Sequence, residues 1–174
     1  MTAFESSTRL ITRSGCLFDV RPAWPKDEPA LAEFFTHVTP EDMRFRFLTG
    51  IKEVGHDRLA AMTNVDHHRT ENFLAFVDDG AEIIATAMLA CDADGKRGEV
   101  AVAIRSDFKN DGVSWELMKH VAAFAKSIGV ETLESIESRD NHAAINLERE
   151  MGWTTSSYPS DASLMLVQRN LGEE

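Results

Sequence analysis

Between Gly98 and Lys126 the chain reads as a strand, a polar turn and a long helix with few residues between them. Val100, Val102 and Ile104 alternate with Glu99, Ala101, Ala103 and Arg105, the period-2 pattern that sends one set to each face of a strand. The first set is expected in a core. The second is small, flanked by a carboxylate and a guanidinium, and leaves room for something to lie along the strand. After Gly112, Leu117, Val121, Phe124 and Ile128 recur at helical spacing, and Val113, Met118, Ala122 and Ala125 widen the stripe, so this helix packs on a sheet. A strand that turns directly into a helix aims the helix's free N–H groups and positive dipole end at the end of the strand. Phosphate-bearing ligands suit that geometry.

The rest of the chain supplies elements to flank this unit. Residues 16–21 carry Leu17, Phe18 and Val20 and read as a strand, which the prolines of P-A-W-P-K-D-E-P stop. Residues 1–15 are expected to be a loose arm. Residues 16–170 are expected to form one domain, because no repeat, low-complexity tract or linker divides them. Ala30, Leu31, Phe34, Phe35 and Val38 mark a first helix. Thr39-Pro40-Glu41-Asp42 offers an N-cap, a first-turn proline and acids set against a helix dipole, so a second helix starts at once. It carries Arg44, Phe45, Arg46 and Phe47, and a third helical piece covers residues 56–63. These Phe and Arg residues form either one wall of an acceptor groove or plain core and solvated surface. Residues 72–77 and 81–91 make a hairpin about Asp78-Asp79-Gly80. Past the long helix, with Gly129 as its cap, residues 131–138 read as a strand, 141–151 as a helix and 163–168 as a closing strand. The order predicts an α/β fold, a mixed, mostly antiparallel sheet flanked by helices, with one strand-helix-strand unit.

Charge narrows the partners. Against 29 acids stand 18 Lys and Arg, a net charge of −11. That balance argues against nucleic acid, whose phosphates need a basic surface. A basic acceptor fits it, as does acidity that only keeps the protein soluble. No apolar run has the length to cross a bilayer and the first fifteen residues lack a continuous signal-peptide core, so no membrane partner and a cytoplasmic location are expected. Cys16 and Cys91 are too few for a disulfide framework and read as reduced small hydrophobes. His67 and His68, beside Arg69, sit between a helix and a strand where an acceptor could be met. They lack a third ligand at metal spacing, so no metal is expected. No G-x-S-x-G elbow supports a serine hydrolase.

Lys109-Asn110-Asp111-Gly112-Val113-Ser114 resembles the Q/R-x-x-G-x-G/A loop of GNAT-superfamily N-acetyltransferases, with Gly112 the clean match and Lys109, Asn110, Asp111 and Ser114 departing from the usual residues. The segment from Asn141-His142-Ala143-Ala144 to Leu147-Glu148-Arg149-Glu150-Met151-Gly152-Trp153 resembles that superfamily's N-x-x-A…L-Y-E-K-L-G-F ending. V-R-P-A-W-P-K-D-E-P-A-L, F-F-T-H-V-T-P-E-D-M-R-F-R-F, M-T-N-V-D-H-H-R and G-E-V-A-V-A-I-R-S-D-F-K are similar to the acetyltransferase domain of Pat-type protein lysine acetyltransferases. The similar segments span residues 17–153 in the same order.

The resemblance implies the GNAT fold, acetyl-CoA as co-substrate without a metal, and direct transfer of an acetyl group to a primary amine, a protein lysine among the candidates. A lysine amine, with a pKa near 10.4, is protonated at neutral pH and needs a general base. By position the resemblance makes Glu99 that base; read alone, Glu99 is a solvated glutamate beside a charged turn. The resemblance assigns pantetheine to the backbone of Val102, Ala103 and Ile104, and pyrophosphate to Lys109, Asn110, Asp111, Gly112, Val113 and Ser114. Asn141 either contacts CoA or caps the last helix. Where many relatives carry a tyrosine to protonate the departing thiolate, this chain has Glu148, and its one tyrosine, Tyr158, lies past Gly152. A CoA thiol, with a pKa like that of cysteine, about 8.5, does not require a dedicated acid. Asp111 is expected to cap the long helix and so compete with pyrophosphate as an anion. The altered loop also admits a second class of function, a non-catalytic domain that binds acyl-CoA or a peptide. A homodimer is left open.

Overall fold

The structure, a computed structural model, describes residues 7–172. Eight strands form one sheet: β1 (Thr8–Ile11), β2 (Leu17–Pro22), β3 (Thr70–Val77), β4 (Glu82–Cys91), β5 (Arg97–Ile104), β6 (Thr132–Ser138), β7 (Thr154–Ser157) and β8 (Leu164–Asn170). Their order across the sheet is β1-β2-β3-β4-β5-β6-β8-β7. Every pair is antiparallel except β5 with β6. That one parallel step has a physical cause: the connection from β5 to β6 is the long helix α4 (Val113–Ser127), which returns the chain to the same end of the sheet.

The remaining helices are α1 (Glu28–Phe35), α2 (Pro40–Phe47), α3 (His56–Thr63) and α5 (His142–Glu150). Helix α2 starts as its sequence demands, with Thr39 Oγ1 accepting from Asp42 N at 3.1 Å and Pro40 in the first turn. The β3–β4 hairpin turns where Asp79 (φ 57°) and Gly80 (φ 89°) take left-handed conformations.

Both faces of the sheet are covered. On one, Leu117, Met118 and Val121 of α4 pack on Phe73, Leu89 and Val100. On the other, Leu31, Phe34, Met43 and Leu59 of α1–α3 pack on Leu74, Ile83 and Ala103. The small face of β5 is therefore not simply a polar face, as its residues suggest: Ala103 is 4% exposed beneath α2. Small residues there let a helix approach closely. Ile128, expected in the α4 stripe, instead lies past the end of the helix and is 42% exposed.

Two strands lie where none was expected, β1 and β7. The first corrects the loose arm: residues 1–6 lie outside the described residues, but Thr8–Ile11 pairs with β2, and Arg9 bridges Asp19 at 3.1 Å. The turn after β1 also reaches the start of α4. Thr12 is 4% exposed there, and Ser14 Oγ donates to the Asp111 carbonyl at 2.9 Å.

Candidate active site

The register between β5 and β6 runs only from Arg97↔Thr132 to Glu99↔Glu134. Both strands continue past that point, but apart. Residues 100–104 keep their pairing to β4 on one edge and have no strand partner on the other. An open backbone edge of five residues is a row of donors and acceptors awaiting an extended ligand. It opens into a cleft of about 240 Å³, walled by Phe45 and Arg46 of α2 on one side and by Glu137 and α5 residues on the other. Of the residues singled out from the sequence, Val102, Ala103 and Ile104 lie along this edge, and Lys109, Asn110, Gly112, Val113 and Ser114 close one end.

At that end Gly112, with φ 84°, is the N-cap of α4, and no side chain caps the helix. The first-turn N–H groups are left open to a ligand oxygen, a ready anion site. Asn110 is also left-handed, at φ 67°. A Cβ at residue 112 would stand 3.1 Å from Thr12 Cβ, a tight contact added to a left-handed φ that favours glycine. Lys109 Nζ is engaged by Asp42 Oδ2 at 2.6 Å, tying the loop to α2. Asp111 corrects the sequence reading. It neither caps α4 nor lines the cleft, and its charge acts on Cys16, whose thiol pKa is pushed up by burial and then by Asp111. The competing-anion role assigned to it has no basis in this geometry.

Glu99 stands at the other end, where the strands part. Its side chain is exposed and lies just outside the residues that line the cleft, next to Val100, which does line it. Partial desolvation raises its pKa, the adjacent Glu134 raises it further, and Arg46 opposes both. Glu134 is itself held by Arg97 at 2.8 Å and by Gln168 at 3.2 Å.

Along the α5 wall lies a feature the sequence reading did not anticipate. Glu148 is 3% exposed, and its Oε2 is buried without a hydrogen-bond partner. Burial, and then the hydrogen bond and charge of Glu137, push its pKa well above the carboxylate range. Glu137 accepts from Ser135 Oγ at 2.6 Å and from Asn141 Nδ2 at 3.2 Å, so the proton of this acid pair belongs to the deeper Glu148. Asn141 also caps α5, its Oδ1 accepting from Ala144 N at 3.4 Å, and it lines the cleft, so both readings of it have a place. His67 and His68 do not converge on the cleft; His67 Nδ1 lies 2.9 Å from Glu71 Oε1. Among the described residues no cluster could hold a metal ion, and no helix is long and apolar enough to cross a membrane.

A family model described as "Acetyltransferase (GNAT) family" matches residues 32–153. Among solved structures, the GNAT domain of S. lividans PAT superposes with a TM-score of 0.87 at 22% identity, covering 94% of this chain and 96% of that one. Ribosomal-protein-S5-alanine acetyltransferase from Vibrio fischeri gives 0.74 at 12% identity over 97% and 98%. The cAMP-binding acyltransferase from Mycobacterium smegmatis gives 0.67 at 19% over 97% of this chain, which spans only 48% of that protein. At such identities the superpositions speak for the fold.

Proposed function

Because the chain belongs to the acetyltransferase (GNAT) family, we propose that it transfers an acetyl group from acetyl-CoA to a primary amine, with a lysine side chain of a basic protein as the acceptor class. The observation that carries this reading is the parting of β5 from β6, with Glu99 at its start and the uncapped end of α4 beyond it. In this reading the pantetheine amides pair with the open edge at Val102, Ala103 and Ile104. The pyrophosphate lies on the N–H groups of Gly112, Val113 and Ser114, with Lys109 and Asn110 beside it.

The chemistry follows from the position of Glu99. Its pKa is raised, which makes its carboxylate a stronger base than that of a free glutamate. It takes a proton from the ammonium or amine, directly or through water. The amine nitrogen attacks the thioester carbonyl, and a β5 backbone N–H faces the oxygen that gains charge. The intermediate then collapses as the C–S bond breaks with its electron pair on sulfur, and the thiolate takes a proton from solvent. No side chain is needed as a covalent nucleophile, so both substrates are bound together.

Thermal unfolding with and without acetyl-CoA tests the cofactor part directly. Saturation at a hundred times the dissociation constant adds about 2.7 kcal/mol of stability, which a domain of this size reports clearly. No shift at millimolar acetyl-CoA overturns the reading.

A further inference from the structure

Two cations line the cleft among the described residues, and only one of them has a carboxylate partner. Lys109 is held by Asp42. Arg46, in the last turn of α2, is not so held. Its Nε is buried with no hydrogen-bond partner, and the acceptor nearest Nη2 is the Met88 sulfur at 3.8 Å, a weak one. Its guanidinium lies over the Phe47 ring, 4.9 Å from the centroid. Burial pulls its pKa down to about 10, even though the charge of Glu99 acts in the other direction. A guanidinium so placed has lost much of its water and regained few hydrogen bonds. Proteins seldom leave that state unanswered.

We propose that Arg46 makes the thioester end of the cleft a carboxylate subsite, which binds an acidic group carried by one of the two substrates. The inference rests on the acyl-transfer reading of the cleft; a carboxylate on the acyl chain keeps the lysine acceptor of that reading, and one on the acceptor replaces it with an amino acid. A planar guanidinium offers paired N–H donors that match a carboxylate in a forked contact. Phe45 lines the cleft beside Arg46, and Phe47, beneath the guanidinium, belongs to the core behind it. The position is set by Glu99, whose charge acts on Arg46 and which begins the unpaired stretch of β5, away from the α4 loop. A carboxylate at that end has two sources. It belongs to the acyl chain, as in the CoA monothioester of a dicarboxylic acid, or to the acceptor, as in the α-carboxylate of an amino acid.

Two arms separate the sources. In the first, calorimetry compares succinyl-CoA with acetyl-CoA. In the second, initial rates with saturating acetyl-CoA compare α-amino acids with their amides. The subsite predicts that in one arm the wild-type protein favours the acid by about tenfold or more, the range of a charge-assisted hydrogen bond. In Arg46→Met, which keeps an apolar stem, that ratio falls to about one, and Arg46→Lys retains part of it. A wild-type protein that treats acid and neutral partner alike in both arms overturns the proposal, whatever becomes of the variants. So does a preference that survives in Arg46→Met. Failure of the underlying reading looks different: neither CoA ester binds and no acetyl group moves.

Discussion

Glu99 is held between desolvation and the repulsion of one acid, Glu134, on the one hand and one guanidinium, Arg46, on the other, and its base strength is set by that imbalance. Desolvation and Glu134 raise its pKa more than Arg46 lowers it. The rate should therefore rise with pH along a limb whose midpoint lies above that of an ordinary glutamate, about 4.3. Glu99→Gln should cut turnover by roughly two to four orders of magnitude and erase the limb, while leaving acetyl-CoA affinity nearly intact. An affinity that collapsed with the rate would make Glu99 a structural residue. Glu148 gives a second prediction at this scale. Its folded pKa is raised above its unfolded value, so the native state keeps a proton that the unfolded chain releases. Its contribution is fully present below about pH 4.3 and is lost as pH rises toward the folded value. Glu148→Gln keeps the shape and stays neutral. It should flatten the decline between pH 5 and pH 9 and be more stable than wild type at the upper end, by on the order of 1–3 kcal/mol, read by urea unfolding. A parallel decline in both proteins would show that the pair does not hold its proton. Glu99 was legible in the sequence because small neighbours and a matching motif framed it. Arg46 was legible only as a groove wall or solvated surface and Glu134 not at all, since each acts through a partner far away in the chain, and Glu137 depends on how β6 meets α5.

Among the elements, the turn after β1 and the loop before α4 form one piece, and Gly112 is where they touch. Gly112→Ala forces a side chain into a left-handed φ and against Thr12. Gly129 has a similar φ, 92°, with nothing near its missing Cβ. Both alanine variants should lose about 1 kcal/mol from backbone strain, and Gly112→Ala about 1–2 more from the contact, with weaker CoA binding as the loop shifts. Equal losses on denaturation would mean that the β1 turn does not brace the loop. The Lys109–Asp42 bridge is partly exposed, so breaking it costs at most about 1 kcal/mol. Asp42→Asn should free Lys109 and tighten CoA a few-fold without altering the affinity for pantetheine, which lacks the phosphates. Unchanged or weaker CoA binding would remove Lys109 from the phosphate site. Periodicity revealed α1 and α4 because apolar stripes at helical spacing specify helices. Short polar segments such as T-T-S-S in β7 and T-R-L-I in β1 gain their strand character from a neighbour. The exposed β5 backbone at Val102, Ala103 and Ile104 was implied by the family resemblance and not by the residues, because Val100, Val102 and Ile104 alternate in the same way whether or not a second strand lies alongside.

At the scale of the whole molecule, the α/β order was readable because each element alternates or repeats in its own period. The covering of both faces was not, because alanines on a strand read alike beneath a helix or beneath solvent. Net charge was legible from the start, and it acts at longer range than any contact. A net charge of −11 sets up a field that draws a cationic acceptor toward the protein before any specific contact forms. Such attraction is screened within about 10 Å at 0.1 M salt, so its loss is a signature of its presence. With acetyl-CoA saturating, the apparent acceptor constant for lysine-rich peptides should rise steadily as ionic strength is increased. For a small neutral amine of equal reactivity it should stay flat, because that molecule carries no charge for the field to act on. Saturating the cofactor matters, since CoA is itself an anion and its own salt response would otherwise be mixed into the result. A flat response for every basic peptide would separate the protein's acidity from acceptor choice and leave it as a matter of solubility alone.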